Sequence, residues 1–346
     1  MKRFLLRLAL FSVGTAVICE LLFRTAVPAA ETPYFAFDQR RGFVVNDTSG
    51  PRSGTFTAGR LAEVRTRWHV NDQGWLSRTD YETPQQRTRP AIALIGDSYV
   101  EGIHVDPADD LAPRLERDLS GRYAVYSFGT PGAGLAHYAW ITPHVVSTYA
   151  PSALVYFIVE GDLEESVAEL WPNPLAAQYI DDGTHPVIRP PSYEPRPYRR
   201  ALRASALARY LLINVRLTLQ GDGSRLSYGG ERAESIRAAA RLSLKDIRQA
   251  AGDIPVLFVL DAMRDSIYRR PLGDLREDFT HGTVKSLLAA TDPRVLDLTL
   301  LFQRDFVSRR RTFNYDVNYH WNPYARKLIA RAVAERLAPL LPSADR

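Results

Sequence analysis

The feature that most constrains this chain is Ala91-Ile92-Ala93-Leu94-Ile95, an apolar run behind Pro90 that leads straight into Gly96-Asp97-Ser98. Such a run is too short for a helix and has the form of a strand buried on both faces of a parallel sheet. Gly-Asp-Ser is a turn tripeptide, and Gly102 comes close behind it. A turn there sets a serine hydroxyl at the carboxyl end of a central strand, where open α/β sheets hold their ligands. If a helix starts at the same point, the Ser98 backbone N–H faces the same space, so nucleophile and oxyanion donor come from one residue. The competing reading is structural: Asp97 or Ser98 caps the following helix, a routine use of either residue type.

The downstream pattern supports an α/β sheet. Leu111, Leu115 and Leu119 fall four apart and mark one face of a helix within residues 107–119. Residues 123–128 read as a second strand that ends in the glycine-rich turn 129–134. A helix over 135–149 and a third strand over 153–159 come next, the latter ending at Glu160-Gly161-Asp162. Helices are expected over 231–251 and 275–290, strands over 254–260 and 294–298, and a closing helix over 321–341 with Pro323 in its first turn, a position proline tolerates. This alternation predicts a three-layer α/β/α sandwich around a central, mostly parallel five-stranded sheet.

Residues 28–90 read as an extended lead-in and 91–342 as the domain. A proline-rich insertion at about 171–230 holds Pro190, Pro191, Pro195 and Pro197, and an apolar helical pattern over 201–220. Its prolines exclude a central strand, and an ordered insertion of this kind often serves as a lid or binding loop. There is no internal repeat, no heptad run and no dinucleotide fingerprint: the glycines of 129–134 do not fit G-x-G-x-x-G.

Composition excludes several classes. With 44 basic against 39 acidic residues the net charge of +5 does not call for nucleic acid as a partner. Arg309-Arg310-Arg311 and Arg199-Arg200 suit solvated faces or contacts to anionic lipid or glycan. The single cysteine, Cys19, rules out an intramolecular disulfide and a cysteine-based metal site. The compartment is read from the amino terminus instead. Lys2 and Arg3 precede a mostly apolar stretch to Val27, interrupted by Arg7, Glu20 and Arg24. This is an export segment over residues 1–27. Arg7 and Arg24 suit snorkelling to opposite interfaces of a retained inner-membrane anchor with the domain in the periplasm. Small residues at 27–30 leave cleavage and secretion as the alternative.

Three consecutive strands thus end in glycine-bearing turns, at Gly96-Asp97-Ser98, Gly129 and Gly161-Asp162, and in a parallel sheet these converge on one crevice. A fourth part comes late: Asn318-Tyr319-His320-Trp321-Asn322-Pro323, a histidine just before the terminal helix with Asp316 and Asn318 upstream. That histidine is a candidate general base held by a local carboxylate or amide. A capping or packed histidine is the plainer alternative.

In the segments IGDSYVEGIHV, YSFGTPGAG, VYFIVEGDLEES and NYHWNPYARKLIA, spread over about residues 65–340, the chain resembles the SGNH hydrolase superfamily, or GDSL esterases, in particular its membrane-anchored bacterial members associated with polysaccharide genes. The resemblance implies a flavodoxin-like fold, Ser98 as nucleophile, His320 as base, Asp316 or Asn318 as its orienter, and an oxyanion hole at Ser98, Gly129 and Gly161, with Asp97 and Asp162 alongside. It implies no metal and no organic cofactor. Two departures stand out. Relatives commonly read Gly-Asn-Asp in the third block, whereas here Gly161 is followed directly by Asp162; and the carboxylate nearest His320 is Asp316, four residues back, with Asn318 in between.

The resemblance further implies a serine esterase that removes or transfers O-acyl groups on a cell-envelope or exported polysaccharide. Its expected partners are an acylated glycan or small ester, and the membrane through the N-terminal helix. The alternative from another class is a catalytically impaired carbohydrate-binding or scaffold protein of an envelope assembly.

Overall fold

The computed structural model describes residues 1–181, 186–215, 231–273, 275, 278–289 and 294–341. Five strands form its central sheet: β1 (Ala91–Gly96), β2 (Ala124–Gly129), β3 (Ala153–Ile158), β4 (Val256–Leu260) and β5 (Arg294–Asp297). Their spatial order is β2-β1-β3-β4-β5 and each neighbouring pair is parallel. Every residue of β1, β2 and β3 is buried, which is why these segments are almost unbroken in apolar character. The side chains of β1 divide between two cores. Ala91, Ala93 and Ile95 pack beneath Leu135–Tyr149 and Glu231–Ala251, and Ile92 and Leu94 beneath Leu111–Asp118 and Pro323–Leu337. The result is a three-layer α/β/α sandwich.

The order of the sheet fixes where a site can form. β2 lies on one side of β1 and β3 on the other, so the connections leaving β1 and β3 diverge and open a crevice at their carboxyl ends. Gly96 and Gly129 stand side by side there as partners in the β1–β2 register. Gly129 cannot carry a side chain: a Cβ would come within 2.1 Å of the Glu101 backbone nitrogen. The close approach presses the chain end of β2 against the short helix Ser98–Glu101.

Several elements differ from the sequence expectation. Residues 28–90, where short strands are expected at 42–45 and 67–70, hold strands there and pair them into two antiparallel hairpins, Phe35–Asp38 with Phe43–Asn46 and Ser53–Ala58 with Val64–His69. The second packs Phe56, Val64 and Trp68 against Ile103, and Thr66 Oγ1 donates to the Ile103 carbonyl at 2.6 Å, which fastens this hairpin over the loop behind Ser98. The terminal helix starts at Pro323. Trp321 belongs to the strand Asn318–Trp321, and Asn322 caps the helix by accepting from the Ala325 N–H at 3.0 Å. The helix expected over 201–220 is broken at Ser205 into Pro197–Ala204, Ala206–Arg209 and the turn Tyr210–Asn214, because the Ser205 hydroxyl caps a new start at the Ala208 N–H. Its expected end at 216–220, and residues 182–185 and 221–230 of the insertion, lie outside the described residues. Within the insertion Gln178–Asp181 pairs with Pro186–Arg189. The helices Arg264–Arg269 and Thr299–Arg309 carry no strong periodic signal in the sequence.

The N-terminal helix Lys2–Thr25 has a mean hydropathy of 1.9 over its most apolar window and stands clear of the domain for most of its length. At 1.5 Å per residue its 24 residues span about 36 Å, enough to cross a bilayer core.

One buried ion pair ties the two halves of the second core together. Arg326, fully buried on the terminal helix, pairs with Asp110 and donates to the Tyr99 carbonyl at 2.8 Å. Removing one partner of such a pair leaves a charge stranded in the interior. Asp110→Ala is therefore expected to lower the unfolding free energy by about 3–5 kcal/mol in urea titrations. An unchanged midpoint would mean that Arg326 does not depend on this partner.

Candidate active site

Ser98 is the first residue of the helix Ser98–Glu101, a position whose backbone N–H has no acceptor within the helix. Asp97 caps it, accepting from the Tyr99 N–H at 2.8 Å. The capping role and the half-buried serine thus coexist on neighbouring residues. Ser98 Oγ lies 2.7 Å from His320 Nε2 and 3.4 Å from Asp97 Oδ2.

His320 is held at its other nitrogen by Asn318. Asn318 Oδ1 lies 2.6 Å from His320 Nδ1 and also accepts from the His320 backbone N–H at 2.9 Å. Because the backbone N–H can only donate, the amide must present its oxygen, so Nδ1 carries the ring proton and Nε2 is left as an acceptor facing Ser98. Asp316 lies in the exposed turn between Asn314–Tyr315 and Asn318–Trp321. Of the two residues that sequence offered as orienters, it is Asn318 that meets the imidazole. An amide fixes the orientation of the ring but adds no charge opposite the imidazolium.

Four contributors to this geometry, His104, Tyr99, Arg264 and Asp261, were not legible from sequence. The imidazole of His104 stacks on His320 with centroids 3.6 Å apart and planes at 12°, and Tyr99 packs against His320 at 4.6 Å. In the sequence His104 has no distinguishing company; it reaches the site because the hairpin 53–69 presses Phe56 edge-on against it at 4.9 Å. The Tyr99 hydroxyl donates to the Tyr319 carbonyl at 3.1 Å and accepts from Arg264, which also pairs with Asp261 at 2.9 Å. Asp261 in turn accepts from the Trp321 indole N–H at 2.9 Å. The motif Tyr-x-x-Gly after the serine and His-Trp at the end carried the only available hint.

The third turn is acidic and dry. Gly161 has φ +108°, and Asp162 is fully buried. Asp162 Oδ2 accepts from the Val159 N–H at 2.9 Å and from the Tyr138 hydroxyl at 3.0 Å, while Oδ1 is buried with no hydrogen-bond partner among the described residues. Carboxyl oxygens of Asp97, Asp162 and Glu165 lie within 4.8 Å of one another. Burial drives all three toward the protonated form, with the Asp261 charge adding to it at Asp97 and the Asp97 charge adding to it at Asp162 and Glu165: Asp97 is pushed up to about 7, Glu165 to about 8, and Asp162 well above the usual carboxylate range. Glu101, the buried last residue of the helix Ser98–Glu101, is pushed up to about 8 by burial and by Asp97. Other histidines serve the frame; His137, for example, is pushed down to about 3 by burial and lies 3.1 Å from Thr130 Oγ1. His185 lies outside the described residues.

A carboxyl whose folded-state value is raised binds its proton more tightly than in the unfolded chain, and stability then depends on pH. Its contribution is complete below the unfolded value and is lost as pH rises through the folded one, here from about 4.5 to about 8 for Glu101. Unfolding free energy is expected to fall across that window, and Glu101→Gln to flatten the fall, in denaturant titrations at about pH 5 and about pH 9. An equal slope in the variant would show that Glu101 ionises freely in the folded protein.

No family model matches the chain, and no curated protein matches it. Its neighbours among solved structures are lipases, acylhydrolases and esterases. The lipase/acylhydrolase from Enterococcus faecalis is similar over 74% of this chain and 100% of its own, with 14% identity and a TM-score of 0.42. A two-domain esterase active on acetylated mannans, co-crystallized with mannopentaose, is similar over 74% of this chain and 51% of its own, at 11% identity and a TM-score of 0.40. A member of the lipolytic G-D-S-L family from Veillonella parvula is similar over 71% of this chain and 96% of its own, at 12% identity and a TM-score of 0.39. These are distant likenesses of fold, and the chemistry of this site rests on its own residues.

Proposed function

We propose that the chain is an exported serine esterase of SGNH type that removes or transfers O-acyl groups, with an acylated envelope or exported polysaccharide as its substrate class. The observation that supports this most is the 2.7 Å contact between Ser98 Oγ and His320 Nε2, with Asn318 dictating the tautomer. His320 takes the Ser98 proton as Oγ attacks the acyl carbonyl, and the imidazolium returns it to the departing alcohol oxygen. Water, or a sugar hydroxyl in the transfer variant, then attacks the acyl-serine ester and restores Ser98. The N–H groups of Ser98, Gly129 and Gly161 are the backbone candidates for binding the oxyanion. Asp162, fully buried and held toward its neutral form by burial, keeps a fixed negative charge away from that oxyanion. The polysaccharide enters through the resemblance alone.

For localisation we propose a retained anchor in the inner membrane, with Lys2 and Arg3 cytoplasmic and the domain in the periplasm. Glu20 and Arg24, the residues least compatible with a cleaved signal, are both engaged with the domain: Arg24 donates to the Ala204 carbonyl at 3.0 Å and Glu20 accepts from the Ala206 N–H at 2.9 Å.

The test is turnover of p-nitrophenyl acetate by the full chain in detergent. Ser98→Ala is expected to lose at least about 10³-fold in kcat. Asp162→Asn, which cannot ionise, is expected to hold its kcat to higher pH than the native chain. Equal turnover by Ser98→Ala would remove the hydrolase reading, and no turnover by a folded native chain would favour the binding-protein alternative.

A further inference from the structure

The junction between the anchor helix and the domain is built, and its outer side is amphipathic. Glu20 accepts from the Ala206 and Leu207 N–H groups, each at 2.9 Å, and from the Ser205 hydroxyl at 2.8 Å, so a carboxylate on the anchor caps the helix Ala206–Arg209. One turn on, Phe23 stacks on Tyr210 at 3.7 Å, and further along Ala30 donates to Asn214 Oδ1 at 3.0 Å. The anchor therefore does not hang from a linker: its last turn and Pro197–Asn214 are one packed unit. That fixes the height of Pro197–Asn214 at the level where the apolar span ends.

At that height Pro197–Asn214 leaves four large apolar side chains exposed. Tyr198 and Leu202, one helical turn apart, are 54% and 43% exposed, and Leu211 and Leu212 are 37% and 43% exposed. Cations flank them, with Arg196 and Arg200 exposed and Arg203 and Arg209 half-buried. Arg203 sits over the Tyr34 ring and Arg200 pairs with Asp47, so the inner side of this arginine row grips the lead-in. Apolar residues with a tyrosine, edged by arginines, are what an in-plane interfacial helix presents to headgroups and upper acyl chains.

We propose that Pro197–Asn214 lies in the outer face of the same bilayer that the anchor crosses, with Tyr198, Leu202, Leu211 and Leu212 in the lipid and the exposed Arg196 and Arg200 toward anionic headgroups. The inference rests on the retained-anchor reading. It commits the domain to a single orientation: the cavity of about 560 Å³ lined by Ile213, Asn214, Val215, Phe56, His104 and Asn318 opens between this segment and the partners of His320, beside the membrane surface. A substrate reaching His320 from that side arrives along the bilayer.

The test uses spin labels on the full chain in vesicles of phosphatidylethanolamine and phosphatidylglycerol, in a Cys19→Ser background. Labels are placed by Leu202→Cys and Leu211→Cys on the segment, by Val13→Cys within the anchor and by Leu300→Cys, an exposed position on the domain helix Thr299–Arg309. Collision with oxygen, which partitions into lipid, is compared with collision with a water-soluble nickel chelate. Labels at 202 and 211 are expected to favour oxygen, as 13 does, whereas 300 favours nickel. Labels at 202 and 211 as aqueous as 300, with 13 in lipid, overturn the interfacial placement and leave the anchor standing. A label at 13 that is itself aqueous overturns both.

Discussion

Ser98 and His320 are 222 positions apart in the chain, and what brings their side chains to 2.7 Å is a buried polar frame around Tyr99. Two arginines build it. Arg326 reaches from the terminal helix to the Tyr99 carbonyl, and Arg264 reaches from behind β4 to the Tyr99 hydroxyl and the Tyr319 carbonyl. Each guanidinium is nearly inaccessible and each has its own aspartate, Asp110 and Asp261. Buried charges are costly unless paired and hydrogen-bonded, so the frame tolerates little displacement. Tyr99, which follows Ser98, and Tyr319, which precedes His320, are in this way locked to each other, and the Ser98–His320 contact inherits the geometry.

The frame also explains how the site manages with an amide where a carboxylate is common. Asn318 accepts two hydrogen bonds on one oxygen, one from the main chain of His320 itself, and so selects the tautomer without adding charge. The opposite side of the serine turn is lined by Asp97, Asp162 and Glu165, whose burial favours their neutral forms. A crevice with few fixed negative charges is the better host for a developing oxyanion, because a neighbouring carboxylate would oppose it.

The sheet was legible because its central strands are buried on both faces, which forces continuous apolar runs that little else produces; β1, β2 and β3 begin and end within a residue or so of where the sequence puts them. Ser98, His320 and the three glycine-bearing turns were legible because each sits at a strand end or helix start with local turn chemistry. His104, Tyr99 and Arg264 were not. Their roles depend on which hairpin covers which loop, and no periodicity encodes that. The break at Ser205 was hidden for a related reason: its hydroxyl and Glu20 together cap a helix start, and the partner lies 185 residues away. The sequence offered both Asp316 and Asn318 for the histidine, and only the hairpin register separates them, turning Asp316 to solvent.

The central claim is that Ser98 is a nucleophile activated by His320. Labelling with a fluorophosphonate, followed by peptide mapping in a mass spectrometer, tests it most directly. A single adduct on Ser98 is expected, and it disappears in His320→Ala while the protein stays folded. An adduct of equal yield in Ser98→Ala, or one on Ser98 that is indifferent to His320, would contradict it.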